Sequence, residues 1–487
     1  MSSSLLVSSE CPTCGAPLDF MEGANAVQCI HCKSNLLVTG RKQMLSYFVR
    51  PRLDIHRGVA KAMVAHKEAG QSCRMISPQL YFIPYYRLMG HDFRWESKPK
   101  ERRTEEEYFP DRIGDPLSKT GKTIGEGVNQ LFSLILGRNE LPSYQSNPFS
   151  KDDHIPLNGI SREEHEIVFQ DQYIEKNFIG TLCKEFGLYS LGVRPAVLKL
   201  ELFGKSTLES LGKVVRPDLP PAEAFERGMK TVGGHTLLFR QVLSWMLSLV
   251  YFPFWLMEVE VEGDHCMTVL DAVSETVIQL RTPHSLSESL SHLQTDEPKV
   301  IEFRPLVCPN CGWSLDVRKE DVIFYCNSCK KPWQIIGSGF TEVNDQVIVP
   351  SSFQSDMKAK YLPFWIIEVD MGIEKIERYF LPGFRYRRLK TLADIALALT
   401  KKNPSYTVSE HRDIEACGCY YDQEDAINLA KVIHAKIAFN SPGGTLSDQT
   451  SSLNSKKITL SWIPFHIQGD FGIDPFTGIS ISLPLLG

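Results

Sequence analysis

Cys11-Pro-Thr-Cys14-Gly15 and, after fourteen intervening residues, Cys29-Ile-His-Cys32 stand near the start of the chain. Cys308-Pro-Asn-Cys311-Gly312 and, after the same fourteen, Cys326-Asn-Ser-Cys329 repeat that spacing past its middle. Eight of the thirteen cysteines therefore fall into two copies of one pattern. The copies agree beyond cysteine: Leu18-Asp19 matches Leu315-Asp316, Lys33 matches Lys330, and Gly40 matches Gly337. Agreement at this many offsets points to duplication within the chain.

Chemistry explains the spacing. Two residues between cysteines let a tight turn aim both sulfurs at one ion about 2.3 Å away. Gly15 and Gly312 supply the positive φ that such a turn needs. Four thiolates on a divalent ion leave a formal charge of about −2, and Lys33 and Lys330, each directly after a fourth cysteine, can offset part of it. Four sulfurs also close the tetrahedron, leaving no position for water or substrate, so the predicted role is structural. The predicted ligands are Cys11, Cys14, Cys29 and Cys32 for one ion, and Cys308, Cys311, Cys326 and Cys329 for the other. The predicted cofactor is zinc, two ions per chain, and iron is the rival metal that the same sulfur cage accepts. Disulfides and a thiol redox pair are the competing uses of paired cysteines. A reducing compartment argues against the first, and the lack of a thioredoxin-like βαβ context against the second.

These two segments resemble the zinc-ribbon family of rubredoxin-like knuckles. The resemblance covers residues 8–40 and 305–337 only. It implies a ribbon fold and a bound metal, and it implies no activity, because ribbons serve unrelated tasks.

The 487 residues exceed what one core organises and predict two to four domains. A net charge of −5 argues against a polyanion binder driven by bulk charge. The N-terminus lacks a basic region ahead of an apolar run, which argues against a secretory signal and predicts a cytoplasmic protein. The longest uncharged apolar stretch, Val242 to Met257, is 16 residues long and holds Ser244, Ser248 and Pro253. A bilayer crossing takes about 20 apolar residues, so the stretch predicts a buried helix leading into a strand. Peripheral membrane contact stays open.

A second motif occurs four times: Phe82-Ile-Pro84-Tyr-Tyr86, Tyr251-Phe-Pro253-Phe-Trp255, Tyr361-Leu-Pro363-Phe-Trp365 and Trp462-Ile-Pro464-Phe-His466. Such aromatic runs predict strands, with the proline at an edge, a start or a bulge, and with the rings filling a core in preference to lining a groove. Helices are predicted over 54–70, ended by Gly70, and over 423–438, with further starts at Ser161, Ser206 and Thr391 from capping-box spacing. The fold class that follows is α+β, in two tandem halves from an internal duplication. Its units are zinc ribbon 1 over 1–40, an α+β unit over 41–300 with an exposed insertion near 96–160, zinc ribbon 2 over 301–340, and a second α+β unit over 341–487. Gly/Ser-rich 441–455 reads as a loop.

Catalytic and cofactor-binding residues are predicted to be none. Lys119-Thr-Gly121-Lys122-Thr123 lacks the first glycine of a phosphate-binding loop, where Pro116 stands instead. Glu164, His165 and Glu166 are placed on a helix that lacks a second histidine. Cys417-Gly-Cys419 and the lone Cys73, Cys183 and Cys266 read as ordinary thiols. Arg385-Tyr-Arg387-Arg388-Leu-Lys390 is the sharpest basic cluster and reads as a solvated or partner-facing turn. The predicted function is a non-enzymatic scaffold, adaptor or assembly protein that works through protein partners. The alternative is a nucleic-acid-associated ribbon factor, disfavoured because residues 1–40 carry Glu10, Asp19 and Glu22 against Lys33 alone.

Overall fold

The computed structural model describes residues 5–39, 44–99, 165–181, 198–230, 236–282, 301–318, 320–337, 339–351, 358–370, 376–409, 414, 416–440 and 455–486. The chain is mixed α and β, mostly strand, with five α-helices among the described residues. Two large sheets, of ten and seven strands, form the frame; Cys11 and Cys14 lie in the turn between strands Leu6–Glu10 and Pro17–Met21 of the larger one, and two three-stranded sheets hold the Cys29–Cys32 and Cys326–Cys329 turns.

The ten-stranded sheet is built on the antiparallel pair Cys73–Pro99 and Thr236–Val261. The second of these contains Val242 to Met257, so the predicted helix in that stretch is instead the middle of a strand. Both of its faces are buried, which removes the polar alternation that marks a half-exposed strand. Val250, Phe252, Phe254 and Leu256 enter one core cluster. Leu249, Tyr251, Met257 and Val259 enter the cluster on the opposite face. The apolar run is continuous, yet its packing has the two-residue period of a strand.

The seven-stranded sheet is built on the antiparallel pair Ala359–Asp370 and Ser455–Gln468. The four proline motifs lie in these two central pairs. Tyr251 sits opposite Pro84 and Pro253 opposite Phe82. Tyr361 sits opposite Pro464 and Pro363 opposite Trp462. All four prolines are buried, so none occupies an outer edge. Each instead lies where the neighbour on its other side changes direction. Before Pro253 the neighbour is the parallel strand Leu45–Val49, and from Phe254 it is antiparallel Asp264–Asp271. Before Pro84 it is parallel Lys213–Val214, and from Tyr85 it is antiparallel His165–Ile179. Pro464 stands between parallel Asp345–Val349 and antiparallel Phe471–Ile473. Pro363 stands between the parallel bridge from Tyr361 to Ala416 and antiparallel Ile376–Pro382. The ladder on that side is interrupted at such a junction, which accommodates a residue without an N–H.

Helix Ile55–Glu68 begins at Asp54, whose carboxylate accepts from the Arg57 N–H at 3.0 Å, and Gly70 beyond its end has φ 73°. Helix Gln423–Asn440 buries Ala426, Leu429, Ala430 and Ile433. Its start is held by Asp422, which accepts from the Asp425 N–H at 2.9 Å. Two predicted starts are displaced. Helix Lys205–Leu211 is capped by Gly204, and Leu389–Lys402 begins two residues before Thr391. In the latter the carboxylate of Asp171, on the neighbouring strand, takes the Lys390 N–H. A cap from another element replaces the local one. His165 and Glu166 open strand His165–Ile179 and lie on no helix. The predicted insertion begins inside a strand, since Glu96 and Ser97 are buried residues of Cys73–Pro99. Residues 100–160, Ser161, Glu164, Cys183 and 441–454 lie outside the described residues.

The two large sheets share packing. The long strands Cys73–Pro99 and Thr236–Val261, of 27 and 26 residues, stay paired within the ten-stranded sheet to their outer ends. Phe93, Trp95, Leu238, Phe239 and Leu243 belong to the core cluster otherwise built from buried residues of 322–481, and Trp95 stacks on Phe439 at 5.6 Å between centroids.

Candidate metal centres

The four Sγ atoms of Cys11, Cys14, Cys29 and Cys32 lie within 4.8 Å of one another, as do those of Cys308, Cys311, Cys326 and Cys329. Two spacings across the first group are 3.7 Å and 3.8 Å, and two across the second are both 3.6 Å. A regular tetrahedron with bonds of about 2.3 Å has an edge of about 3.8 Å, so each group fits one tetrahedral ion at its centre. All eight thiols are free of disulfides.

Each cysteine pair is a turn closed by backbone hydrogen bonds. The Gly15 N–H donates to the Cys11 carbonyl at 2.8 Å and the Lys33 N–H to Cys29 at 2.9 Å. The Gly312 N–H reaches Cys308 at 2.9 Å and the Lys330 N–H reaches Cys326 at 2.8 Å. Gly15 and Gly312 have φ of 72° and 74°, as the sequence predicts. Lys33 and Lys330 adopt the same left-handed conformation, with φ of 61° and 60°. The lysine is therefore the counterpart of the glycine in the opposite knuckle.

Four crowded thiols cannot all ionise without a cation between them. Within the first group the Ser34 hydroxyl pulls Cys32 down to about 6. Cys14 goes up to about 12 despite the Ala16 N–H, through burial and its neighbours Cys32 and Cys11. In the second group burial and the Cys311 and Cys329 thiols push Cys326 up to about 12. Cys308 falls to about 7, where the N–H groups of Cys311 and Asn310 outweigh burial. A divalent ion at the centre would favour the thiolate at every position.

The ribbons are sewn into the frame and to each other. Leu6–Glu10 pairs in parallel with Lys199–Leu202 of the large sheet. Glu22, just past the hairpin Leu6–Met21, is buried; it accepts from Arg87 Nε at 2.8 Å and from Ser248 Oγ at 2.7 Å. Burial pushes its carboxyl up from the usual range even beside Arg87. Strand Asn35–Val38 pairs with Phe303–Pro305, which leads into the second ribbon. Asn35 Nδ2 donates to Ser314 Oγ at 3.0 Å and to the Leu315 carbonyl at 2.9 Å. Asn25 Nδ2 donates to the carbonyls of Glu320 and Asp321 at 3.1 Å and 2.9 Å. Ala26, Leu37, Leu306, Cys308, Leu315, Phe324, Cys326 and Trp333 form one small core between the ribbons.

Sequence reasoning missed Asn25, Asn35 and Glu22. When the two cysteine motifs are aligned, Asn25 falls on Val322 and Asn35 on Pro332, so the asparagines that join the two segments are positions where the aligned motifs differ. That difference was the available signal. Cys417-Gly-Cys419 lies at a junction: the Val322 N–H donates to the Cys419 carbonyl at 2.8 Å and the Cys417 N–H to Tyr361 at 2.9 Å. Burial drives the Cys419 thiol well above its ordinary range. Cys73 and Cys266 lie on the two strands that flank Thr236–Val261, away from both clusters. Lys119 to Thr123 lies outside the described residues. No helix among the described residues is long and apolar enough to cross a membrane.

No protein-family model matches the chain, no curated protein is significantly similar to it, and no solved structure matches it.

Proposed function

We propose that this chain is a zinc-stabilised scaffold that works through protein contacts, built by duplication of one ribbon-plus-sheet unit. The eight clustered cysteines are the ligands of two structural zinc ions. The units are the ribbons 1–40 and 301–340 and the sheet units 41–300 and 341–487. The sulfur spacing carries the reading. A four-sulfur cage of that size suits zinc and leaves no open coordination position for chemistry.

Matching connectivity supports the duplication. Leu45–Val49 runs parallel to one central strand and antiparallel to Lys199–Leu202. Asp345–Val349 runs parallel to Ser455–Gln468 and antiparallel to Thr407–Ser409. Exposed apolar side chains at the knuckles supply the contact surface. Ile30 lies between Cys29 and Cys32 and is 73% exposed, and Trp313, directly after Gly312, is 68% exposed. Large exposed apolar groups on rigid turns suit protein docking.

Two measurements test this. Protein purified under reducing conditions should hold two zinc ions per chain, and one after Cys308→Ser with Cys311→Ser. A photo-crosslinking residue at position 30 or 313 should capture one recurrent partner protein, whereas the same probe at exposed Val64 should not. Metal-free folded protein would end the zinc reading, and zinc-loaded protein without capture at either knuckle would end the contact reading.

A further inference from the structure

The basic cluster that opens helix Leu389–Lys402 faces a half-open cleft. A cleft of about 1490 Å3 lies between the two halves. Arg318, Lys360, Arg385, Arg387, Arg388 and Lys390 line it, against three carboxylates, in a chain whose net charge is −5.

Each of the three carboxylates is already engaged. Glu320 pairs with Arg385, Asp321 lies 3.9 Å from Arg318, and Asp171 holds the Lys390 N–H. Arg387, Arg388 and Lys390 are exposed toward the cleft, and the arginines form no ion pair among the described residues. Their placement runs against the helix they flank. Its first turn carries no acidic residue, and cations there meet the positive end of the helix dipole. A local rule broken without a packing gain marks a functional position more often than a structural one. The opposite wall is aromatic. The His91 ring lies 5.6 Å from Tyr173 and 5.8 Å from Tyr420, and Arg385 sits 5.4 Å over Tyr420.

We infer that this cleft binds a small phosphorylated ligand, with Arg387, Arg388 and Lys390 holding its phosphates. Guanidinium forks match phosphate oxygens two at a time, and an ammonium adds a point charge. The half-buried Tyr173 and Tyr420 rings, backed by buried His91, offer contact to a planar base. The space exceeds what a single phosphate fills and accommodates a nucleotide. This goes beyond the scaffold reading and is independent of the knuckle contacts.

The test is calorimetric titration of the zinc-loaded full chain with pyrophosphate, with ATP, and with a single-stranded oligonucleotide, at two salt concentrations. Pyrophosphate and ATP should both bind, ATP about tenfold more tightly if a base stacks. Arg387→Glu with Arg388→Glu should weaken both by about thirtyfold or more at unchanged zinc content and melting temperature. Lys401→Glu, at the far end of the same helix, should leave both unchanged. Failure of pyrophosphate and ATP to bind protein that holds two zinc ions overturns this site and leaves the scaffold reading intact. Equal binding by the double variant overturns it as well. Binding of the oligonucleotide alone, falling steeply with salt, reassigns the cleft to nucleic acid and overturns the inference.

Discussion

Lys33 and Lys330 look like counter-charges in the sequence, because each follows the fourth cysteine of a group. The backbone gives them a second reason. Both sit in the left-handed region, where a residue other than glycine costs roughly 1–2 kcal/mol. Glycine at that position gains the conformation and loses about 0.5–1 kcal/mol of chain entropy. Lys33→Gly is therefore expected to leave the zinc-loaded protein unchanged or raise its stability by up to about 1 kcal/mol, measured by denaturant unfolding. A loss greater than about 1 kcal/mol would return the position to electrostatics. The glycines were legible from spacing alone; the lysines were not, since side-chain charge conceals a backbone requirement.

The aromatic-proline strands show where local reading stops. Their existence and type follow from aromatic and β-branched content, and helices 54–70 and 423–438 follow from apolar period and end signals. The position of the prolines does not. A rule that assigns proline to an edge is satisfied here inside a sheet, at the point where a parallel neighbour gives way to an antiparallel one. That point is set by strands from elsewhere in the chain and cannot be read from five residues. Val242 to Met257 fails for a related reason, because burial on both faces erases the alternation that separates strand from helix. Pro253→Ala should place an N–H where the parallel ladder has ended and the antiparallel one begins. The expected cost is about 1–3 kcal/mol from an unsatisfied buried donor, with fast hydrogen exchange at residue 253. Slow exchange together with unchanged stability would show that the junction does supply an acceptor.

Across the molecule, the grouping of the eight cysteines was legible because each group repeats one spacing that a single tetrahedral ion would require. How they are built in was not. Ribbon 1 joins the large sheet through Leu6–Glu10 and Glu22, and joins ribbon 2 through Asn25 and Asn35. These contacts span up to about 300 residues of sequence and carry no local pattern. Each cysteine group lies in a segment continuous with a much larger core, so metal binding there, worth ~10–16 kcal/mol in zinc-finger peptides, would bear on that shared packing. X-ray absorption at the zinc edge on the purified, never-oxidised protein examines the cages themselves. Four sulfur neighbours at about 2.3 Å around each ion are predicted. Oxygen or nitrogen in the first coordination sphere, or fewer than three sulfurs per zinc, would contradict the account.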